Sequence, residues 1–126
     1  MSKKITIRRN YSEYRFPTPE TVPAGRYWTR IEDIRESITS AGRTAIDVDY
    51  LFEEDSEEET LFHVRQRYAD GSPAQDAFYD AMVNAGVPEG ADITEAIGVT
   101  EYIDFSYSGD FGIIKKRRPV EPESAY

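Results

Sequence analysis

Two neighbouring segments alternate apolar and polar residues with a period of two, and this alternation constrains the fold more than any other feature. In the first, Ile46, Val48, Tyr50 and Phe52 alternate with Asp47, Asp49, Leu51 and Glu53. In the second, Phe62, Val64, Gln66 and Tyr68 alternate with His63, Arg65 and Arg67. Successive side chains of a strand point to opposite faces, so both segments read as half-buried strands. The acidic stretch Glu53-Glu54-Asp55-Ser56-Glu57-Glu58-Glu59 joins them, and the second should return antiparallel to the first. One allowed register sets Asp47 opposite Arg67 and Asp49 opposite Arg65.

The flanking segments extend the pattern. From Gly25 to about Ile38, Tyr27, Trp28, Ile31, Ile34 and Ile38 begin with strand character and change phase between Ile31 and Ile34. That change predicts a bulge or bend in one long strand, although a helical reading of 31, 34 and 38 competes. Ser72 followed by Pro73 is an N-cap and first-turn signature, and Phe78, Ala81, Met82 and Ala85 follow at helical spacing before Gly86, so a helix is expected over 72–85. A short helical turn is expected around Asp92 to Ala96. A fourth strand carries Val99, Ile103, Phe105 and Tyr107 on one side. Ser108-Gly109-Asp110 turns into a fifth strand from Phe111 to Pro119.

Pro17, Pro19 and Pro23 mark residues 1–24 as an extended arm, with a short edge strand expected at Ile5 and Ile7. Residues 25–119 form the body, and 120–126 a loose tail. The result is a mainly β chain with one α-helix in the order β-β-β-α-β-β. That is the order of the OB-fold, a five-stranded barrel, and a small half-open sandwich would give a similar pattern.

Composition narrows the function. In 126 residues there is no cysteine, which removes thiolate chemistry, Cys-ligated metals and disulfides, and fits a reducing cytoplasm. The single histidine, His63, rules out multi-His metal sites and reads as a half-exposed strand residue. The acidic stretch lacks the spacing of a calcium loop, so no metal or other cofactor is expected. The start of the chain has no secretory apolar stretch, and nowhere do 18 consecutive apolar residues occur, so neither export by that route nor a membrane span is expected. The net charge of −9 opposes non-specific attraction to phosphate, yet basic residues concentrate towards the two ends.

The stretch Val22-Pro23-Ala24-Gly25-Arg26-Tyr27, with Ile46-Asp47-Val48 and Ile97-Gly98-Val99, resembles phage and prophage single-stranded-DNA-binding-like OB domains over about residues 22 to 118. The shared features are a Pro-x-Gly-x-Tyr opening, a Gly-containing turn before an apolar strand, a central helix and a Gly before the fourth strand. The resemblance implies a non-catalytic accessory of replication or recombination on a phage or mobile element, and it carries over no catalytic residue. The acidic loop and the basic-aromatic arm depart from the pattern.

Three groups of residues are candidates for contact with single-stranded DNA, in which cations meet phosphate and rings stack on bases. Lys115, Lys116, Arg117 and Arg118 form the densest positive run and read as solvated, with Glu101 and Asp104 as available partners and Tyr102 beside Lys116; a lysine-protected edge strand explains the run equally well. Arg65 and Arg67 face either a nucleic acid or the carboxylates of Asp47 and Asp49. Trp28, with Arg26 and Arg30, and the arm residues Arg8, Arg9, Tyr11, Tyr14 and Arg15 pair rings with cations, or pack structurally. The rival function is a protein-interaction module that recruits a basic or strand-forming partner through the acidic loop and an exposed sheet edge.

Overall fold

The computed structural model describes residues 13–120, and the expected edge strand at Ile5 and Ile7, the arm residues Arg8, Arg9 and Tyr11, and the tail from 121 lie outside the described residues. The alternating segments form β2 (Thr44–Glu54) and β3 (Leu61–Ala69), antiparallel, in the allowed register that sets Asp47 opposite Arg67 and Asp49 opposite Arg65. β1 (Gly25–Ile38) pairs with β2 on one side and with β4 (Thr100–Ser108) on the other, and β5 (Phe111–Val120) pairs with β4. The strand order in the single antiparallel sheet is β3-β2-β1-β4-β5.

The phase change in β1 is a bulge. The register with β2 shifts between Ile31 and Asp33, so that Tyr27, Ile31 and Ile34 all reach the core despite their spacing. Helix α1 (Pro73–Asn84) starts from the Ser72 cap, whose side chain accepts from Gln75 N at 3.1 Å, and packs Phe78 and Met82 inward against β3 and β5. A 3-10 turn at Ile93–Ala96 is capped by Asp92. The core is aromatic at its centre: Tyr27, Tyr50, Phe52, Phe78 and Phe105 are all at most 1–2% exposed. Fully burying one such side chain contributes about 1.5–3 kcal/mol, so no staple is required.

No ladder joins β3 to β5 among the described residues, so the sheet stays open between its outer strands. Side chains and the arm span the opening. Gln66 Nε2 on β3 donates to Gly112 O on β5 at 3.1 Å. Arg15 pairs in parallel with Val64, and Arg65 N donates to Arg15 O at 2.8 Å, which covers the outer edge of β3. Tyr14 and Val22 are buried, so the described part of the arm packs onto the body.

Gly112 is held to its size by this crossing. A Cβ there would stand 2.6 Å from Phe105 Cζ and 3.1 Å from Pro17 Cγ. Gly112→Ala is therefore expected to lower stability by about 1–3 kcal/mol, read by thermal melting, since a buried ring cannot retreat without repacking.

Candidate nucleic-acid interface

A cross-strand row on the outer sheet face carries the candidate site. Trp28 on β1 stands opposite Tyr102 on β4, and Tyr102 stands opposite Arg118 on β5. The Trp28 and Tyr102 rings meet at 4.5 Å between centroids with a 53° tilt, and the Arg118 guanidinium carbon lies 5.0 Å from the Tyr102 ring centre. Even-numbered residues of this part of β1 point away from the core, which is why Trp28 remains 44% exposed between buried Tyr27 and Thr29.

The same alternation sets Arg26 and Arg30 on either side of Trp28. Arg26 Nε lies 3.4 Å from Asp104 Oδ1, Lys116 Nζ 3.6 Å from Asp104 Oδ2, and Arg30 Nε 2.5 Å from Glu32 Oε2. Lys115 is opposite Asp104 in the register and exposed. Exposed pairs of this kind contribute about 0–1 kcal/mol each, so the cations can exchange a carboxylate for a phosphate at little cost. The acidic loop borders the row: the Tyr102 hydroxyl donates to Asp55 Oδ2, and that carboxylate holds the phenol above its ordinary pKa.

Arg117 corrects the expectation of four solvated cations. The β4–β5 register shifts between Tyr102 and Asp104, and Lys116 takes a left-handed φ of 55°. The extra residue reverses the phase of β5, so Lys116 turns outward and Arg117 turns into the core. There Arg117 Nη1 donates to Glu101 Oε1 at 2.7 Å and Nη2 to Tyr68 Oη at 3.0 Å, with the guanidinium carbon 5.4 Å from the Phe78 ring centre. The hairpin closing with Ser108 opposite Phe111, and the bulge after it, together set Tyr102 against Arg118 rather than Lys116.

Burial pushes the Glu101 carboxyl up, against the pull of Arg117, and Glu101 Oε2 is buried with no hydrogen-bond partner among the described residues. Burial alone would lower Arg117, but the oxygens of Tyr50, Tyr68 and Glu101 outweigh it and hold the guanidinium above its usual value. Arginine does not deprotonate in proteins, so the group that adjusts is the half-satisfied Glu101.

Arg65 and Arg67 are paired. Arg65 Nε and Nη2 contact Asp49 Oδ1 and Oδ2 at 2.8 and 3.2 Å, and Arg67 makes the same two-pronged contact with Asp47 at 2.7 and 3.0 Å. Arg35 Nη1 also reaches Asp49 Oδ2 at 3.0 Å, and Ser37 Oγ donates to Asp47 Oδ1. Burial would raise Asp47, but the Arg67 and Ser37 hydrogen bonds outweigh it and hold the carboxyl below its ordinary value. This network occupies the outer face of β1–β2–β3 and neutralises it. His63 is half-exposed beside Tyr14 and 3.6 Å from Glu13.

Of the candidate residues, the structure thus brings Trp28, Tyr102, Arg118 and Lys116 onto one face with Lys115 at its margin, and sets Arg65, Arg67 and Arg117 into ion pairs elsewhere. The adjacency of Trp28 and Tyr102 was not foreseen, because β1 and β4 are far apart in sequence. Two aromatic residues at outward positions of separate strands were the available signal. Among the described residues no cluster of His, Cys, Asp or Glu could hold a metal ion, and no helix is long and apolar enough to cross a membrane. No family model matches the chain, and no match was found among curated proteins.

Proposed function

We propose that this chain is a non-catalytic binder of single-stranded DNA that uses the outer β1–β4–β5 face. The carrying observation is the outward-facing row of Trp28, half-buried Tyr102 and Arg118, two rings and a guanidinium plane within stacking reach of one another. Bases would stack on the indole and on the guanidinium-backed phenol, and Arg26, Arg30, Lys115 and Lys116 would meet phosphates on either side. Stacking of this kind contributes about 1–3 kcal/mol per base and tolerates any sequence. A duplex hides its base faces and forfeits that contribution.

The strand order, with the helix between the third and fourth strands and Gln66 bridging β3 to β5, supports reading the sheet as an incompletely closed OB-like barrel. On the resemblance set out above, the protein serves as a replication or recombination accessory of a phage or mobile element in the cytoplasm. The net charge of −9 keeps the affinity weak in isolation and favours action within a complex.

The combined variant Lys115→Ser, Lys116→Asn and Arg118→Ser tests the cationic part, with asparagine chosen because it tolerates the left-handed backbone at 116. Arg117 is left in place. Melting should be unchanged within about 0.5 kcal/mol, while oligo-dT affinity falls and the salt slope becomes shallower by up to about 2. An unchanged slope removes these residues from the interface.

A second reading, the interaction module built on the acidic loop and a sheet edge, is favoured by one contact. Asp55 reaches the Tyr102 hydroxyl, so acid rather than open space borders the row. Absence of oligo-dT binding at low salt transfers the function to that module.

A further inference from the structure

A groove lies along the flank of α1, at the opposite end of β1 from Trp28. Phe78 and Met82 occupy the inward stripe of the helix, which leaves Tyr79 and Val83, one turn apart, on its flank. Ile38 at the end of β1 and Ile93 at the start of the 3-10 turn continue this apolar floor. Ile38 is 64% exposed, Val83 47% and Tyr79 37%. Single exposed apolar side chains are ordinary on a protein surface, whereas three along two adjoining concavities that share Tyr79 and Ile93 mark a contact site.

The walls decide what fits. Asp80 and Glu89 line the concavity beside Val83, Glu36 and Asp70 the adjoining one beside Ile38, and no lysine or arginine lines either among the described residues. Arg43, beside it, is committed through Nη2 to the Asp70 carbonyl at 2.7 Å. Burial, and then Asp70 and Asp76, raise the Tyr79 phenol above its ordinary value, so the negative field extends over the apolar floor.

We propose that this groove docks a basic amphipathic segment of a partner protein, whose apolar side chains cover Ile38, Tyr79 and Val83 and whose lysines or arginines face Glu36, Asp70, Asp80 and Glu89. The apolar contacts supply affinity, and the carboxylates supply partner choice and association rate. Phosphate-bearing ligands are repelled by the same carboxylates, so the groove is distinct from the nucleic-acid face and does not depend on it. A second copy of this chain is disfavoured because each copy carries a charge of −9.

The probe is a synthetic amphipathic peptide of leucine and lysine, added to the full chain and followed by amide chemical shifts. Saturable shifts should appear at Ile38, Tyr79, Val83 and Ile93. Val83→Ser should weaken binding about tenfold, and so should charge reversal by Asp80→Lys with Glu89→Lys, which leaves the apolar floor intact. A peptide with glutamate in place of lysine should not bind. The proposal is overturned if the glutamate peptide binds equally, if the shifts map to residues 53–59, or if the groove residues broaden with protein concentration alone, which would make a second copy the occupant.

Discussion

Arg117→Ala is expected to destabilise the protein by about 3–5 kcal/mol, because it leaves the Glu101 carboxylate buried without its counter-charge. Against a typical total of about 5–15 kcal/mol, a loss of that size unfolds much of the population on mild heating. The cost should depend on pH. Burial holds the folded-state pKa of Glu101 above its unfolded value, so on raising the pH the unfolded chain releases this proton first. Stability is therefore lost as the pH rises from the unfolded value through the folded one. Removing Arg117 enlarges that loss, so the variant should suffer less in mild acid than at neutral pH. Asp47, held below its ordinary value, acts in the opposite direction and contributes above its unfolded pKa.

The double variant Arg117→Met with Glu101→Leu separates the ion pair from its shape. Tyr50 and Tyr68 keep their mutual hydroxyl contact at 2.9 Å, so no other hydrogen bond of the cluster is orphaned. Replacing a buried pair by apolar groups of similar volume is often neutral, and most of the stability should return. Denaturant melts of the single and double variants decide the matter. A single variant within about 1 kcal/mol of the parent would contradict a buried role for Arg117. The same burial means that substituting Lys115, Lys116, Arg117 and Arg118 together would remove binding and folding at once.

Trp28→Ala and Tyr102→Ala are each expected to weaken binding of oligo-dT about 5- to 150-fold, the range that corresponds to one lost stacking contact. Both side chains point away from the core, Trp28 being 44% exposed, so the melting temperature should move little. Because the rings touch at 4.5 Å, the losses should not add fully, and the double variant should fall short of the product of the two. Arg65→Ser, in the neutralised network, should cost stability without selectively weakening the binding of single strands.

The elements were legible where the signal is local. Alternation located β2 and β3, and the register formed is one of those it allows, although β2 is buried on both faces, Asp47 and Asp49 included. The Ser72-Pro73 start located α1, and the phase change between Ile31 and Ile34 located the β1 bulge. The site was legible only in part. The bulge in β5 rests on Lys116 in a left-handed conformation, where no glycine or asparagine marks the position. The run of four cations therefore gave no indication of which one turns inward. The indication lay in Glu101, an acid on the core-facing side of β4 with Ile103 and Phe105, which requires a buried partner. The Trp28–Tyr102 row depends on β1 pairing with β4, a non-local choice that composition and alternation do not determine.

Trp28 is the only tryptophan in the chain, so its emission reports directly on the proposed face. The decisive measurement is a titration of that emission in the full chain with oligo-dT and, separately, with duplex of the same length, at low and at moderate salt. Saturable quenching by the single strand, much weaker quenching by the duplex, and a midpoint that moves to higher concentration as salt rises are predicted. No quenching by the single strand at low salt, or equal quenching by the duplex, would contradict the account.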